Sequence, residues 1–220
     1  MKKLALTATI FCGIVFVLSG CHLGIKGSGL RKNEKRDVPE FTAINTSGMF
    51  EVEVKCQQPV SLEVEGDDNL LPLVQTEVVD GVLRIKTTRK YRSERGIIVR
   101  VTVPSLERIQ ASGAGKFRVS DVKNDRFEIH SSGVVELSAT GQTKSLEIDE
   151  SGAGKIDTHN LRAAVVDVHV SGAAIVDVFA SDQLDVTVSG AANVTYSGDA
   201  KVSKHVSGAG SITKKELRGV

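Results

Sequence analysis

Two stretches of the chain carry the same pattern: Ile148-Asp-Glu-Ser-Gly-Ala-Gly-Lys-Ile156 and Val168-His-Val-Ser-Gly-Ala-Ala-Ile-Val176. Each has a Ser-Gly-Ala centre with alternating apolar and polar residues on both sides. Six Ser-Gly pairs follow one another at intervals of 20, 19, 20, 18 and 18 residues. They are Ser112-Gly113, Ser132-Gly133, Ser151-Gly152, Ser171-Gly172, Ser189-Gly190 and Ser207-Gly208. A constant period near this length is typical of stacked structural units.

Apolar residues recur at fixed distances from each serine. Three positions before it stand Ile109, Ile129, Ile148, Val168 and Val186, and five positions after it stand Phe117, Leu137, Ile156, Val176, Val194 and Ile212. Because polar residues alternate with them, the pattern predicts one strand before and one strand after each pair. Two strands per repeat predict an all-β fold, specifically a parallel β-helix-like solenoid with coils of about 18–20 residues.

The Ser-Gly pairs are predicted to be the structural corners of these coils. Glycine adopts backbone angles that are closed to other residues, and a serine hydroxyl can bond to nearby backbone. Residues 105–213 hold the regular repeats, and residues 41–104 form a less regular β part of one domain over 41–220. In that part Val52 and Val54 follow Ser47-Gly48 in the same register, and Asp68 is placed to cap a short helix before Val74.

The N-terminus has the features of a lipoprotein signal. Lys2 and Lys3 precede an apolar run over residues 4–18, which is short for a bilayer span and suits a signal peptide. The run closes with Leu18-Ser-Gly-Cys21, which resembles the bacterial lipobox. Residues 1–20 are therefore predicted to be removed and Cys21 to be lipidated, which gives a membrane contact through the lipid anchor. The alternative is an ordinary cleaved signal with an unmodified Cys21.

The segment after the anchor is predicted to be a flexible tether over residues 21–40. It carries Gly24, Gly27 and Gly29 and a mixed-charge stretch with few apolar residues. Its basic residues could touch anionic lipid headgroups, although a solvated spacer is favoured. His22 stands where an Asp commonly retains lipoproteins in the inner membrane, so an outer-membrane location, facing either the periplasm or the outside, is predicted.

Composition narrows the classes of function. The formal net charge is +1 and only 4% of residues are aromatic, with no Trp, which disfavours nucleic acid as a partner. Cys56 is the only cysteine left after Cys12 is removed and Cys21 is modified, so no intramolecular disulfide is expected. It follows an alternating stretch and is predicted to be a buried or half-buried, unreactive thiol.

Two polar columns run along the predicted stack. Four residues before the serine stand Glu128, Glu147, Asp167 and Asp185, and two before it stand His130, Asp149 and His169. Stacking predicts mutual repulsion within the acidic column, which a cation would relieve. The two histidines lie two coils apart, about 10 Å, which is too far to share a zinc ion. A solvated acidic face without metal or cofactor is therefore predicted, and cation binding stays open.

Catalysis finds little support in the sequence. Serines that repeat in every coil cannot each be a nucleophile, and no phosphate-binding glycine loop is present. The alternative function is a β-helical enzyme acting on polysaccharide, with Glu147 and either Asp167 or Asp185 as its paired carboxylates. Their regular exposed spacing offers no apolar surroundings that would raise the pKa of one acid. No catalytic residues are predicted.

The repeats resemble a known family, the putative auto-transporter adhesin head GIN domain of bacterial envelope lipoproteins. The resemblance covers roughly residues 41–213 and rests on Phe41-Thr-Ala-Ile44, on Val101-Thr-Val-Pro104 and on the Ser-Gly-Ala units that begin at Ser112, Ser151, Ser171 and Ser189. Ser132-Gly-Val-Val135 departs by lacking the alanine. The resemblance implies a β-helical envelope domain without catalytic residues. The sequence thus predicts a lipid-anchored, non-enzymatic module for adhesion or scaffolding, whose partner is an envelope protein or glycan.

Overall fold

The computed structural model describes residues 24–215, so the predicted signal segment and Cys21 lie outside the described residues. The fold is all-β, as expected. Its strands are β1 (Ile25–Lys26), β2 (Arg31–Lys35), β3 (Ala43–Lys55), β4 (Ser61–Asp67), β5 (Val74–Val79), β6 (Val82–Thr87), β7 (Tyr91–Arg92), β8 (Ile98–Thr102), β9 (Arg108–Ser131), β10 (Val134–Glu150), β11 (Ala153–Val170), β12 (Ala173–Val188), β13 (Asn193–Ser197), β14 (Lys201–Val206) and β15 (Ser211–Lys214).

The four long strands β9 to β12 pair in chain order, each parallel to the next. Equivalent positions of successive repeats lie opposite each other: Leu137 of β10 faces Phe117 of β9 on one side and Ile156 of β11 on the other. The next repeats continue this order, since β13 and β14 both pair with β12 and β15 pairs with β13. The register read from the sequence is therefore the register of the sheet.

The N-terminal part joins the same sheet. β3 pairs in parallel with β9, which places Ser47 opposite Ser112 and Gly48 opposite Gly113. Beyond β3 the order changes, because β8, β4 and β2 continue the sheet through antiparallel pairs. β5 and β6 form an antiparallel hairpin whose turn residues Asp80 and Gly81 both have positive φ, as tight hairpin turns require. The sheet is therefore mixed, which the sequence did not predict.

The core is built from the apolar columns of the repeats. The columns three before and five after each serine point inward, and Ile129, Ile148, Ile156 and Val176 are each fully buried. The residues between them face outward at least in part. One continuous apolar cluster runs from Phe41 to Tyr196, so the irregular and regular parts share a single core.

Glycine is required at the corners by close contact between repeats. A Cβ built on Gly133, Gly152, Gly172, Gly190 or Gly208 would lie well inside 3.0 Å of the carbonyl oxygen of the corner glycine one repeat earlier. Positive φ, the reason inferred from the sequence, applies to Gly48 and Gly113 and not to these five glycines. Ala153 and Ala173 donate their N–H groups to Gly133 and Gly152 of the preceding corner at 2.8 and 2.9 Å.

The corner serines bond across repeats at some positions. The Ser112 hydroxyl donates to the Thr46 carbonyl at 3.1 Å, and the Ser151 hydroxyl donates to the Ser131 carbonyl at 3.3 Å. Within residues 24–215 the hydroxyl of Ser171 has no such bond, although its backbone N–H donates to Glu150 at 2.8 Å. The serine side chain therefore matters less at a corner than the adjacent glycine.

The predicted tether is shorter than residues 21–40, because two of its segments pair with the body. β1 lies parallel to β7 and β2 lies antiparallel to β4. Gly24 and Gly27, read as flexible-linker glycines, instead permit close packing. A Cβ on Gly24 would lie 2.8 Å from the Lys90 backbone, and one on Gly27 would overlap the Asp67 carboxylate. From Gly24 to Lys35 much of this segment is thus part of the folded domain.

In the part of the chain that the structure describes, helix is confined to one 3₁₀ turn over Leu71–Leu73, with Pro72 near its start. The expected cap by Asp68 is wrong: Leu70 is the N-cap residue, and Asp68 accepts a bond from the Ser28 hydroxyl at 2.6 Å. Within residues 24–215, no helix is both long and apolar enough to cross a bilayer.

The close approach of successive corners can be tested in one repeat, at Ser171 and Gly172. Gly172→Val should lower the free energy of unfolding by about 3 kcal/mol or more, because the new side chain collides with the Gly152 backbone. Ser171→Ala should change it by less than about 0.5 kcal/mol, since the hydroxyl makes no bond within the described residues. Urea unfolding followed by circular dichroism measures both. Equal midpoints for the two variants would contradict the close approach of the corners.

Candidate functional site

The polar columns form a ladder on one face of the sheet. Parallel pairing places Glu128 opposite Glu147, Glu147 opposite Asp167, and Asp167 opposite Asp185. In the neighbouring column Asp149 lies between His130 and His169. We call these seven residues the polar ladder. All of them are at least partly exposed, because they alternate with the buried columns along β9 to β12.

Arginines neutralise two acids of the acidic column, Glu128 and Glu147. Arg126 lies between two acids, with its Nε 2.5 Å from Glu128 Oε1 and an Nη 2.7 Å from Glu147 Oε2. Arg108 lies 3.7 Å from Glu128 on its other side. The prediction of uncompensated repulsion is therefore wrong for Glu128 and Glu147. The signal was in the sequence, since Arg126 stands two residues before Glu128 and so shares its face.

The other two acids of the column, Asp167 and Asp185, have weaker partners. The His169 ring lies 4.0 Å from Asp167, and the Gln183 amide donates to Asp185 at 2.6 Å. The Asp167 side chain is 48% exposed, against 17% for Glu128. The ladder thus changes along its length from a paired, partly buried end to an open acidic end.

The histidines of the ladder do not meet. His130 Nδ1 lies 2.9 Å from Asp149, and its Nε2 lies 3.4 Å from Glu128. His169 stands one repeat beyond Asp149 in the register. Across residues 24–215, no group of three or more His, Cys, Asp or Glu side chains has an arrangement that could hold a metal ion.

The carboxylates considered for glycoside cleavage lie on an open surface. Glu147 and Asp167 are opposite each other on adjacent strands, and their side chains are 32% and 48% exposed. General acid catalysis needs one carboxyl group held in an apolar pocket. Neither residue has that environment. The surroundings of the two acids are therefore alike, and neither acid is set apart as a general acid.

A buried carboxyl group, which was not predicted from the sequence, lies next to the Ser151-Gly152 corner. Glu150 is 1% exposed, and its Oε1 accepts the Gly152 N–H at 2.7 Å. Its Oε2 and the hydroxyl of Ser131 are both buried without a hydrogen-bond partner among the described residues. Burial raises the pKa of Glu150. An acid in an otherwise small or apolar column was the available signal: the other members are Ala111, Ser131, Val170, Val188 and Val206.

A second charge network lies near the N-terminal end of the sheet. Arg100 contacts Glu53, Glu63 and Glu65 at 3.2, 3.5 and 2.8 Å, and Arg31 lies 2.9 Å from Glu65. Hydrogen bonds from Arg31, and then from Arg100, lower the pKa of Glu65. These pairs tie β2, β3, β4 and β8 together and occupy the carboxylates of Glu53, Glu63 and Glu65.

The thiol of Cys56 is buried, as predicted. Burial raises its pKa to about 11, which keeps it protonated and unreactive at neutral pH. The Tyr91 hydroxyl donates to the Met49 carbonyl, and burial raises the pKa of Tyr91 to about 12. Both side chains pack in the hydrophobic core.

One shallow concavity beside the long strands holds an aromatic ring. Its volume is about 730 Å³, and Gln142, Lys144, Arg162 and Phe179 contribute to its walls. The guanidinium of Arg162 lies 4.5 Å from the centre of the Phe179 ring. Because this cation covers a ring face, that face is not open for a sugar to stack on.

Parallel repeats with a polar ladder on one face define a repetitive all-β protein, and comparison with known proteins shows its family. The family model described as "putative auto-transporter adhesin, head GIN domain" matches residues 40–140 and 130–200. The chain therefore belongs to the head GIN domain family. No curated protein matches it.

Several crystal structures have the same fold. A putative adhesin from Bacteroides fragilis is 22% identical with a TM-score of 0.66, covering 88% of this chain and 100% of that one. A putative adhesin from Parabacteroides merdae is 22% identical with a TM-score of 0.56, covering 87% and 98%. A putative lipid binding protein from Parabacteroides distasonis is 20% identical with a TM-score of 0.54, covering 87% and 99%. At these identities the likeness concerns the fold.

The buried carboxyl group predicts a pH-dependent difference. Because its pKa is raised in the folded protein, Glu150 costs stability at neutral pH, and the cost falls as acid protonates it. Glu150→Gln should therefore raise the melting temperature at pH 7.5, with the gain disappearing toward about pH 4. Glu107→Gln, at an exposed position, is the control. A gain that does not depend on pH would contradict the buried acid.

The ladder predicts unequal effects of neutralisation along its length. Glu128→Gln should lower the free energy of unfolding by about 1 kcal/mol, because Arg126 and Arg108 lose their partly buried partner. Asp167→Asn should change it by less than about 0.5 kcal/mol, because Asp167 is exposed and weakly paired. Urea unfolding at low and high salt measures both. Equal losses in the two variants would contradict this gradient.

Proposed function

We propose that this protein is a lipid-anchored, non-enzymatic β-solenoid of the bacterial envelope that presents a repetitive polar surface for adhesion or envelope scaffolding. Membership of the head GIN family supports an adhesin-like role and an envelope location. The solenoid is supported by the parallel, in-register pairing of successive repeats from β9 to β15.

The observation that carries the proposal is the polar ladder. Its residues occur at repeat spacing on one partly exposed face of the sheet, with Glu147 and Asp167 side by side. A periodic surface suits a long partner with its own repeats, such as an envelope glycan or protein, because many weak contacts add up when they are linked. A small substrate would need an enclosed pocket with a few converging polar groups.

Anchoring is proposed from the sequence. The lipobox-like Leu18-Ser-Gly-Cys21 would attach acyl chains at Cys21, and several chains on one residue hold a protein firmly at a membrane. With His22 after the cysteine, we place the protein at the outer membrane. Adhesion would then need outward display, and scaffolding would need only a periplasmic orientation.

Cell fractionation and protease treatment of intact cells test the proposal together. We expect the wild-type chain to fractionate with membranes and Cys21→Ser to accumulate unprocessed, because the thiol is the acyl acceptor. Loss of the chain to external protease would assign adhesion, and protection until the outer membrane is opened would assign scaffolding. Membrane fractionation and normal processing of Cys21→Ser would refute the anchor. Release of reducing ends from envelope polysaccharide would refute the non-enzymatic assignment.

A further inference from the structure

We propose that the face formed by β1, the loop after it and the segment 89–95 lies on the anionic phospholipid headgroups of the leaflet that holds the lipid anchor. This inference rests on the lipid anchor proposed above and adds an orientation to it. We call this face the anchor-proximal face. Its central residues are Lys26, Leu30, Arg89, Lys90, Arg92 and Arg95.

Chain length brings this face to the membrane. Only His22 and Leu23 separate Cys21 from Gly24. The three steps from the Cα of Cys21 to the Cα of Gly24 span at most about 11 Å when fully extended. At Gly24 the chain is already packed against the backbone of Lys90 and Tyr91. The headgroup layer is itself about 5–8 Å thick on each side of a bilayer. A chain anchored at Cys21 therefore cannot hold segment 89–95 far from the headgroups.

The charges of the face suit such a surface. Lys26, Arg89, Lys90, Arg92 and Arg95 are exposed, and within residues 24–215 none of them has a carboxylate oxygen within 4.0 Å of its cationic nitrogen. Elsewhere on the protein many basic side chains are paired, as Arg126 is on the ladder. The acids nearby are few: Glu94 is exposed, Asp67 is buried and bonded to Ser93, and Asp68 faces Lys32.

The face is held in shape by bonds between separate segments. Lys26 pairs with Arg92 across β1 and β7, and the Gly27 N–H donates to the Arg92 carbonyl at 2.8 Å. The loop after β1 is fixed to the turn after β4, because Asn69 donates to the Lys26 carbonyl and accepts the Ser28 N–H at 2.8 and 2.9 Å. The backbone that carries Lys26 and Arg92 is therefore joined to the loop after β1, and Lys26, Arg92 and Arg95 line one shallow concavity.

One exposed apolar side chain lies close in sequence to these basic residues. Leu30 is 66% exposed at the end of the loop after β1, and Arg31 and Lys32 follow it in the sequence. An exposed leucine gains free energy when its side chain leaves water for the acyl boundary of a bilayer. Together with the cations this is the composition expected of a membrane-contacting surface, in which basic residues bind headgroups and one apolar group inserts.

Single tryptophans can report which part of the protein touches the membrane, because the chain has no Trp. The chain from residue 21 onward is coupled through Cys21 to a maleimide lipid in vesicles; Cys56 does not compete because burial raises its pKa to about 11. The vesicles are phosphatidylcholine alone or with about 30% phosphatidylglycerol. The reporter is Leu30→Trp. The matched control is Val134→Trp, at a position 65% exposed in the middle of the sheet.

In anionic vesicles we expect the emission of Leu30→Trp to shift to shorter wavelength and to be quenched by brominated lipid, while that of Val134→Trp stays unchanged. Changing Arg89, Lys90, Arg92 and Arg95 together to Gln should abolish the shift. In an uncoupled chain these four changes should lower the vesicle partition coefficient by about 600-fold, since each basic residue near an anionic surface changes it about fivefold and the four factors multiply. Changing Lys55, Lys123, Lys155 and Lys201 to Gln is the charge-matched control.

Equal quenching of the two tryptophan reporters, or equal partition of the two charge variants, would overturn the proposal. Circular dichroism of each variant confirms that it is folded. Because the coupling is chemical, the vesicle result does not depend on whether cells lipidate Cys21. A failed anchor would instead appear as normal processing and membrane fractionation of Cys21→Ser in cells, so the two failures are distinguishable.

Discussion

The backbone of one corner lies directly against the backbone of the corner before it, and this contact sets the spacing of the whole sheet. At Gly172 there is no room for a Cβ beside Gly152, and the next residue, Ala173, donates its N–H to the Gly152 carbonyl. The same arrangement recurs at the neighbouring corners. A side chain at any of these glycines would push two repeats apart and break the alignment of the strands that leave the corner.

The aligned strands explain why the outer surface is periodic. When equivalent residues lie opposite each other, every inward column becomes an apolar ladder and every outward column becomes a polar one. Val176 thus packs beside Ile156, while Glu147 faces water beside Asp167. The surface therefore repeats for the same reason that the core repeats. A protein built in this way presents many similar polar groups in a row, and on this face the side chains of Glu147 and Asp167 are 32% and 48% exposed.

The departures from regularity fall at the N-terminal end and at one corner. Antiparallel strands β4 and β2 continue the sheet beyond β8, and the segment from Gly24 packs onto the domain beside segment 89–95. If the chain is anchored at Cys21, this end faces the membrane and the repeats extend from it. The irregular corner is the one next to Glu150. The carboxyl group of Glu150 occupies space that is free because Gly154 has no side chain, since a Cβ on Gly154 would lie 2.8 Å from Glu150 Oε2.

The sequence by itself determined the class of the fold, the parallel register of the repeats, the inward columns and the burial of Cys56. It could do so because strand alternation has a fixed period of two and because each repeat supplies the same residues at the same spacing. Only the tertiary structure decided what depends on groups distant in sequence. It placed Arg100 beside Glu53 and Glu65, and it packed Gly24 and Gly27 against the body where composition indicated a flexible tether. Glycine has the same composition in a flexible linker and in a tight contact, and only the neighbour that the fold brings within van der Waals distance distinguishes the two.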